Sequence, residues 1–277
     1  MNEQNVEYLK NNIKYLGFSD SVFPELMKNM ENRFPEFTLT HTRDYGNEKL
    51  EAKLHFSKSQ TSEMYFANNY LATLTKSNQE KLSQMIYLEK GNGLTQKETY
   101  NLLSGRSVNT DLKNKEGEKY NAWIKLDFSV KEPNGNYKVN QFHEAYKYDL
   151  AATLQKYHIN ELKEDAQKER LIQSLQRGNK QQVTFEKNGV AEKLWIEANP
   201  QFKSLNIYDN QNRKVYVQKV AEKYGQSEEQ KPVARQSAVE EKKQTPMQKV
   251  VKEAADKEDI SAPKEKQSRK VKQSQKA

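Results

Sequence analysis

The chain has 277 residues, contains no cysteine and carries a formal net charge of +8 at pH 7. The lack of cysteine excludes disulfides, thiolate zinc sites and cysteine nucleophiles. Hydrophobic residues make up 34% of the chain and charged residues 30%, which is too polar for one uniformly packed globule. The hydrophobic residues must therefore be concentrated in one part of the sequence.

Residues 225–277 account for much of this polarity, and they contain no aromatic side chain. They hold 13 Lys and Arg against 9 Asp and Glu, which leaves 33 basic and 29 acidic residues in the first 224. Such a segment cannot bury enough apolar surface to offset the entropy lost on ordering, so we predict a disordered basic tail. The first 224 residues are long enough to build a hydrophobic core and are only mildly basic.

The N-terminal sequence, Met-Asn-Glu-Gln-Asn, has neither the basic nor the apolar region of a secretory signal peptide. No apolar run approaches the ~20 residues that a bilayer-spanning helix requires. We therefore expect a cytoplasmic protein that does not associate with membranes.

Residues 1–94 are predicted to form two helices followed by antiparallel strands. The first helix is indicated by four hydrophobic residues at helical spacing, Val6, Leu9, Ile13 and Leu16. The second helix is predicted over residues 21–33, because Pro35 prevents it from continuing. Alternating hydrophobic residues on both sides of Gly46-Asn47 predict a half-buried hairpin. Two more strands are predicted at residues 64–75 and 82–89.

Residues 95–158 are predicted to form a helix, three strands and a second helix. Thr95 and Glu98 have the spacing of a capping box, in which each side chain binds the backbone N–H of the other residue. The helix that Thr95 opens is predicted to end at Gly105. The strands are predicted at residues 107–113, 119–130 and 136–142, and the next helix at residues 147–157.

Residues 159–224 are predicted to form a helix followed by four strands. The helix covers residues 160–177. Asn188-Gly189 is a strong signal for a two-residue hairpin turn between the first two strands. The strands are predicted at residues 181–187, 192–198, 204–208 and 214–220.

An internal repeat connects these three regions. A shift of 72 residues aligns Gly117 with Gly189, Trp123 with Trp195, and Ile124 with Ile196. The same shift sets residues 53–57 on residues 125–129. We therefore predict an α+β body of repeated helix–strand–strand–strand units with antiparallel sheets. The predicted domains are residues 1–94, 95–158 and 159–224, followed by the tail at 225–277; the alternative is a chance alignment in a chain rich in Lys and Asn.

In both aligned copies a tryptophan lies on the charged face of the central strand. One interpretation is that a neighbouring helix or unit covers the indole ring, whose N–H then finds a partner. The other is a stacking platform for nucleic acid or a partner protein. For the second interpretation, the candidate binding surface consists of Trp123, Lys125, Trp195, Arg106 and Lys138.

Five stretches of the sequence resemble one family of proteins. They are YKVNQFHEAYKYDL at residues 137–150, NLLSGRSV at 101–108, VTFEKNG at 183–189, IEANPQF at 196–202 and MYFANNY at 64–70. They resemble a family of uncharacterised proteins of Bacteroides-type mobile and conjugative elements, often encoded beside a type IA topoisomerase. The resemblance covers most of residues 1–220 and none of the tail. It implies a DNA-mobilisation context and supplies no catalytic residues.

The sequence contains no recognisable catalytic constellation. The four histidines lack metal-binding spacing, and His41 and His55 are predicted to form a solvated pair across the first hairpin. Gly91-Asn92-Gly93 lacks the Walker pattern and predicts a loop turn. Ser104-Gly105-Arg106-Ser107 is not a nucleophile elbow. We therefore expect neither enzyme activity nor a cofactor.

These features predict a non-enzymatic binding or adaptor protein of a mobile element, with a protein partner in a DNA-processing or transfer complex. The alternative is direct, sequence-independent binding of nucleic acid by the body and the tail. An enzyme of unrecognised type is a third hypothesis. The first two are separated by whether basic residues gather on one surface around Trp123 and Trp195.

The tail contains one segment with a helical pattern. Thr245-Pro246 suits the start of a helix, and four apolar residues follow at helical spacing, Met247, Val250, Val251 and Ala254. We predict that this segment becomes helical only when it docks in the groove of a protein partner. The alternative is a solvated linker with accidental spacing.

Overall fold

The computed structural model describes residues 2–89 and 93–225 of the chain. Within them there are six helices, and eleven strands form three antiparallel sheets. This confirms the predicted α+β class. Outside the described residues lie the predicted tail and its helical segment, with Met247, Val250, Val251 and Ala254. Gly91 and Asn92 of the predicted glycine turn lie outside them as well.

The first part of the body has two helices and a four-stranded sheet. The helices are α1 (Glu3–Tyr15) and α2 (Phe23–Glu31), and the strands are β1 (Glu36–Tyr45), β2 (Glu48–Lys58), β3 (Tyr65–Thr75) and β4 (Lys81–Tyr87). The strands follow one another in the order β1-β2-β3-β4. α2 begins later than predicted because Asp20–Val22 forms a 3₁₀ turn.

The second part has one helix and a three-stranded sheet. The helix is α3 (Gln96–Leu103), and the strands are β5 (Val108–Lys113), β6 (Lys119–Lys131) and β7 (Tyr137–His143), with β6 in the centre. The predicted capping box is confirmed. The Glu98 N–H donates to Thr95 Oγ1 over 3.3 Å, and the Thr95 N–H donates to Glu98 Oε2 over 2.9 Å.

The third part has three helices and a four-stranded sheet. The helices are α4 (Leu150–Leu154), α5 (Asp165–Gln176) and α6 (Val217–Tyr224). The strands are β8 (Gln181–Lys187), β9 (Val190–Asn199), β10 (Ser204–Tyr208) and β11 (Lys214–Val215), in the order β11-β10-β9-β8.

Three predictions for this part were wrong at the level of element type or length. The predicted strand over residues 214–220 is two residues of β11 followed by α6, because Val217, Val220 and Tyr224 pack on one side into the core at helical spacing. The predicted helix at 147–157 is shortened because Lys147 has a left-handed backbone, with φ 56°. The predicted helix at 160–177 is interrupted, and α5 begins only after Glu164, whose backbone is extended.

The same turn geometry recurs in all three parts, at the spacing of the sequence repeat. The helix before the first strand ends in a residue with positive φ each time: Arg33, Gly105 and Gly178, at 56°, 82° and 77°. In each case that residue and the next donate backwards to two helix carbonyls, which is the Schellman motif. The following hairpin contains a glycine with positive φ each time: Gly46, Gly117 and Gly189. The body therefore contains three copies of one helix–turn–strand–turn–strand motif.

Two hydrophobic cores are present, and the central strand β6 contributes to both. The first core lies between α1, α2, α3 and the first sheet, and it includes Ile124 and Leu126. The second core is built by α4, α5, α6 and the third sheet, and it includes Trp123. Since Trp123 and Ile124 point to opposite faces of β6, both faces of that strand are covered at this point. The interpretation that a neighbouring unit covers Trp123 is therefore confirmed.

The predicted pairing of His41 with His55 was wrong. His41 is opposite Ala52 in the hairpin, and His55 is opposite Thr38. The His41 ring is buried, and its nitrogens contact Ser19 and Gln96. It is therefore part of the packing between the start of α3 and β1.

Candidate nucleic-acid interface

Two stacked tyrosine rings mark the place where the end of β1 meets the first turns of α3. The ring centroids of Tyr45 and Tyr100 are 3.8 Å apart, with an angle of 11° between the ring planes. Lys97 Nζ lies 4.5 Å from the Tyr45 centroid and 4.6 Å from the Tyr100 centroid. The Arg43 guanidinium lies 5.6 Å from the Tyr45 centroid. The pair of rings thus supports two cations at cation–π distance.

Arg106 adds a third cation within cation–π distance of Tyr100. Its guanidinium lies 5.2 Å from the Tyr100 centroid, and its Nη2 donates to Asn101 Oδ1 over 2.6 Å. Arg106 Nε is buried and has no hydrogen-bond partner among the residues that the structure describes. Arg106 is therefore anchored to Asn101 through Nη2, while its Nε faces the interior.

Lys180 and Tyr208 bring the third sheet to the same place. Lys180 Nζ lies 3.7 Å from the centroid of the Tyr208 ring and also donates to Asn212 Oδ1. Asn101 connects this contact to Arg106, because its side chain accepts from Arg106 Nη2 and donates to Asn179 Oδ1, on the residue before Lys180, over 3.0 Å. We call this set the cationic–aromatic cluster, and its members are Arg43, Tyr45, Lys97, Tyr100, Arg106, Lys180 and Tyr208.

At the cluster, the second and third parts of the body are held together by contacts of Gly178 and Asn101. A Cβ atom at Gly178 would lie 2.8 Å from both Ser107 O and Val108 Cγ2, so the turn before β8 touches the start of β5 directly. Asn101 is fully buried and its Nδ2 donates to Arg177 O over 2.6 Å. Because the same amide accepts from Arg106, it positions that guanidinium against the third part.

The electrostatics of the cluster show an excess of positive charge. Burial, together with the smaller effects of the charges of Arg106 and Arg43, lowers the pKa of Lys97 to about 8. Burial also lowers the pKa of Lys180; Glu197 opposes this change and Arg106 adds to it. Two ammonium groups are therefore held where their charged forms are disfavoured in the free protein.

Two carboxylates lie beside the cluster, and each accepts a hydrogen bond from a tyrosine. Tyr100 Oη donates to Glu48 over 2.9 Å, and Tyr208 Oη donates to Glu197 over 3.0 Å. Among residues 2–89 and 93–225, no ion pair within 4.0 Å includes any of the four cations. The cluster therefore presents four basic groups without direct counter-ions.

The structure brings together only two of the five residues of the sequence-predicted surface. Arg106 is a member of the cluster, and Trp195 adjoins it because its Cα is paired with that of Tyr208. Trp123 was a wrong choice, since it is 6% exposed and its ring packs edge-to-face against Tyr148 at 5.5 Å. Its indole is not available as a stacking platform.

Lys125 and Lys138 lie on the face of β6 and β7 that carries Trp123. Lys125 is paired with Asn140 and Lys138 with Asp127. Lys138 also contributes to the lowered pKa of Asp127, whose main cause is hydrogen bonding from Ser129. These two lysines are thus separate members of a mixed-charge sheet face.

Six members of the cluster were not predicted from the sequence. Lys97 and Tyr100 do have a local signal, because they are three residues apart and share a helix face. The other positions come from β1 and from the third part, and nothing in the local sequence relates them. Their proximity depends on packing between distant elements.

A groove lies between β4 and the three-stranded sheet. Side-chain amides connect its walls: Gln84 bonds the backbone N and O of Tyr137, and Asn136 bonds the backbone N and O of Met85. The groove has a volume of about 990 Å³. Its apolar lining includes Ile86, Leu94, Leu112, Ile124 and Val139.

Within the described part of the chain, no group of three or more His, Cys, Asp or Glu side chains is arranged to hold a metal ion. No described helix has the length and apolar character needed to cross a bilayer. Comparisons with protein-family models, curated proteins and solved structures gave no match to this chain.

Proposed function

We propose that this chain is a non-enzymatic nucleic-acid-binding protein that works beside the DNA-processing machinery of a mobile element. The observation that carries the proposal is the cationic–aromatic cluster, with four basic groups and no direct ion pair. Guanidinium and ammonium groups bind phosphate oxygens through charge-assisted hydrogen bonds. The mobile-element context rests on the sequence resemblance alone.

The electrostatic state of the cluster favours a polyanionic ligand over a neutral one. Lys97 is flanked by Arg43 and Arg106, and its ammonium form is disfavoured in the free protein. A phosphate between these groups would compensate their mutual repulsion, and counter-ions released from the nucleic acid would add to the affinity. None of these contacts reads a base edge, so the binding is sequence-independent.

Fluorescence anisotropy with labelled oligonucleotides, from about 50 to 200 mM salt, tests this proposal. Lys97→Gln combined with Lys180→Gln should weaken binding at least about tenfold and make the slope of log K against log salt shallower by about two. Lys125→Gln combined with Lys138→Gln removes the same charge elsewhere and is the matched control. Equal losses in the two double variants would contradict a role for the cluster.

A second candidate function is that of an adaptor with a protein partner, and the groove beside β4 favours it. Thr110→Arg would place a long charged side chain in that groove, whereas Asn109→Arg points to the opposite face of β5. A partner recovered from native cells after nuclease treatment should be lost with Thr110→Arg and kept with Asn109→Arg. Recovery that depends wholly on nucleic acid would leave only the first function.

A further inference from the structure

Trp195 is the tryptophan that remains accessible on the outer face of the third sheet. Its neighbours Leu194 and Ile196 point into the second core, so the indole points away from it. Trp195 is partly exposed, whereas Trp123 is buried. Its Cα is paired with Gln182 on one side and with Tyr208 on the other.

Two cross-strand contacts flank Trp195. Lys180 and Tyr208 meet over β9 on one side, with the ammonium 3.7 Å from the ring centroid. On the other side, Gln182 Nε2 donates to Asn210 Oδ1 over 3.2 Å. In the described residues, no ring pair or cation–ring contact includes Trp195. The neighbouring side chains are thus held in place while the indole has no aromatic partner.

A partly exposed indole beside cations can stack on a nucleobase while the cations bind the phosphates of the same strand. Nucleobases stack on aromatic rings regardless of sequence, and this adds to affinity for single strands. In a duplex, the bases are already stacked on one another, so the indole gains no comparable contact. In the described part of the chain, Lys180 and Arg106 outnumber the one carboxylate beside them, Glu197, so the local charge favours a polyanion over an apolar protein segment at this position.

We propose that Trp195 is a base-stacking residue that makes the cationic–aromatic cluster selective for single-stranded nucleic acid. This inference rests on the proposed function, because it assigns the type of ligand to the same surface. The cations bind the phosphates of either form, and Trp195 supplies the contact that only an unpaired base accepts. Tyr208, with Lys180 on its ring, supports the adjacent phosphate contact.

The test compares a single strand, its duplex and inorganic polyphosphate, all titrated into the full-length protein. Tryptophan emission should be quenched by the single strand and much less by the duplex or by polyphosphate, which has no bases. Trp195→Ala should weaken single-strand binding about tenfold and duplex binding less than about twofold. Trp195→Phe keeps an aromatic ring and should restore most of the single-strand affinity.

The possible failures are distinct. If the wild-type protein binds neither oligonucleotide, both the proposed function and this inference are wrong. If it binds both and Trp195→Ala lowers the two affinities equally, or changes neither, the function stands and the stacking role is overturned. The emission measurement needs no variant, so quenching by polyphosphate equal to that by the single strand would also overturn it.

Discussion

Asn101 donates a hydrogen bond from its side-chain nitrogen to the backbone carbonyl of Arg177 over 2.6 Å, across 76 positions of sequence. The same nitrogen lies 3.0 Å from Asn179 Oδ1, and the amide oxygen accepts from Arg106. One buried side chain thus joins the end of α3 to the turn before β8 and orients a cation of the cluster. We therefore expect stability and the proposed binding to be coupled at this residue.

Asn101→Ala should lower the free energy of unfolding by about 1–3 kcal/mol, because it leaves buried polar partners without hydrogen bonds. It should also weaken oligonucleotide binding, since Arg106 loses its support. Asn109 makes an exposed side-chain bond to Asn121, so Asn109→Ala should change stability by less than about 0.5 kcal/mol. Denaturant melts measure both, and similar losses in the two variants would contradict this account.

A comparison of alanine substitutions at Gly178 and Gly189 separates two effects: the steric clash between two closely packed elements and the strain of a left-handed backbone. Their φ values are 77° and 76°, so alanine costs roughly 1–2 kcal/mol of left-handed strain at either position. Only at Gly178 would the new Cβ meet backbone, at 2.8 Å from Ser107 O. Gly178→Ala should therefore destabilise the protein at least about 1 kcal/mol more than Gly189→Ala in thermal or denaturant melts. Equal losses of stability in the two variants would mean that the backbone around Ser107 shifts to accommodate the new Cβ without an energetic cost.

His41 predicts a loss of stability on acidification. The Ser19 backbone N–H donates to His41 Nε2 over 3.3 Å, and His41 Nδ1 lies 2.7 Å from Gln96 Nε2. Protonation would put an N–H on both ring nitrogens, so that a ring donor would face the donor of a neighbouring residue. Burial, together with the charge of Arg43, lowers the pKa of His41 below 6.5.

The unfolded chain therefore binds a proton at His41 more readily than the folded chain does. The stabilising contribution is complete above pH 6.5 and is lost as the pH falls through the lowered pKa of the folded state. Unfolding free energies measured from pH 8 to pH 5 should fall less steeply for His41→Gln than for the wild type. His55→Gln, on the neighbouring strand, is the control and should keep the wild-type slope.

Binding at the cluster should weaken as the pH rises from 7 to 9. The pKa of Lys97 is about 8, and a bound phosphate raises it, so binding takes up a proton in this range. If the phosphate binds only the ammonium form, the affinity falls by about tenfold between these pH values. The rings of Tyr45 and Tyr100 stay neutral because burial raises their pKa values.

Lys97→Arg separates the charge of this residue from its titration, since arginine keeps its proton throughout this range. Its binding curve should be much flatter with pH than that of the wild type. Lys180 also has a lowered pKa and accounts for the slope that remains. An unchanged pH dependence in Lys97→Arg would show that Lys97 is not the titrating group.

The secondary structure was predictable wherever a local pattern has one physical solution. The capping box at Thr95 and the hairpin at Asn188-Gly189 depend on neighbouring residues, and the structure has both. The burial of β6 does not alternate at its centre, where Ala122, Trp123 and Ile124 are all buried. The secondary structure of residues 214–220 was not predictable, because their hydrophobic residues fit either a short strand or a helix. Packing of Val220 and Tyr224 into the second core decides for the helix.

The sequence by itself determined the α+β class, the recurrence of the turns and the approximate positions of most strands, since these depend on periodicity and on residues that tolerate positive φ. Only the tertiary structure decided which tryptophan is accessible and which cations meet. Trp123 and Trp195 occupy equivalent positions in aligned strands, yet a neighbouring part of the chain covers only the first. Arg43, Arg106 and Lys180 come from three distant segments. Their proximity depends on long-range packing, so it cannot be predicted from the spacing of residues in the local sequence.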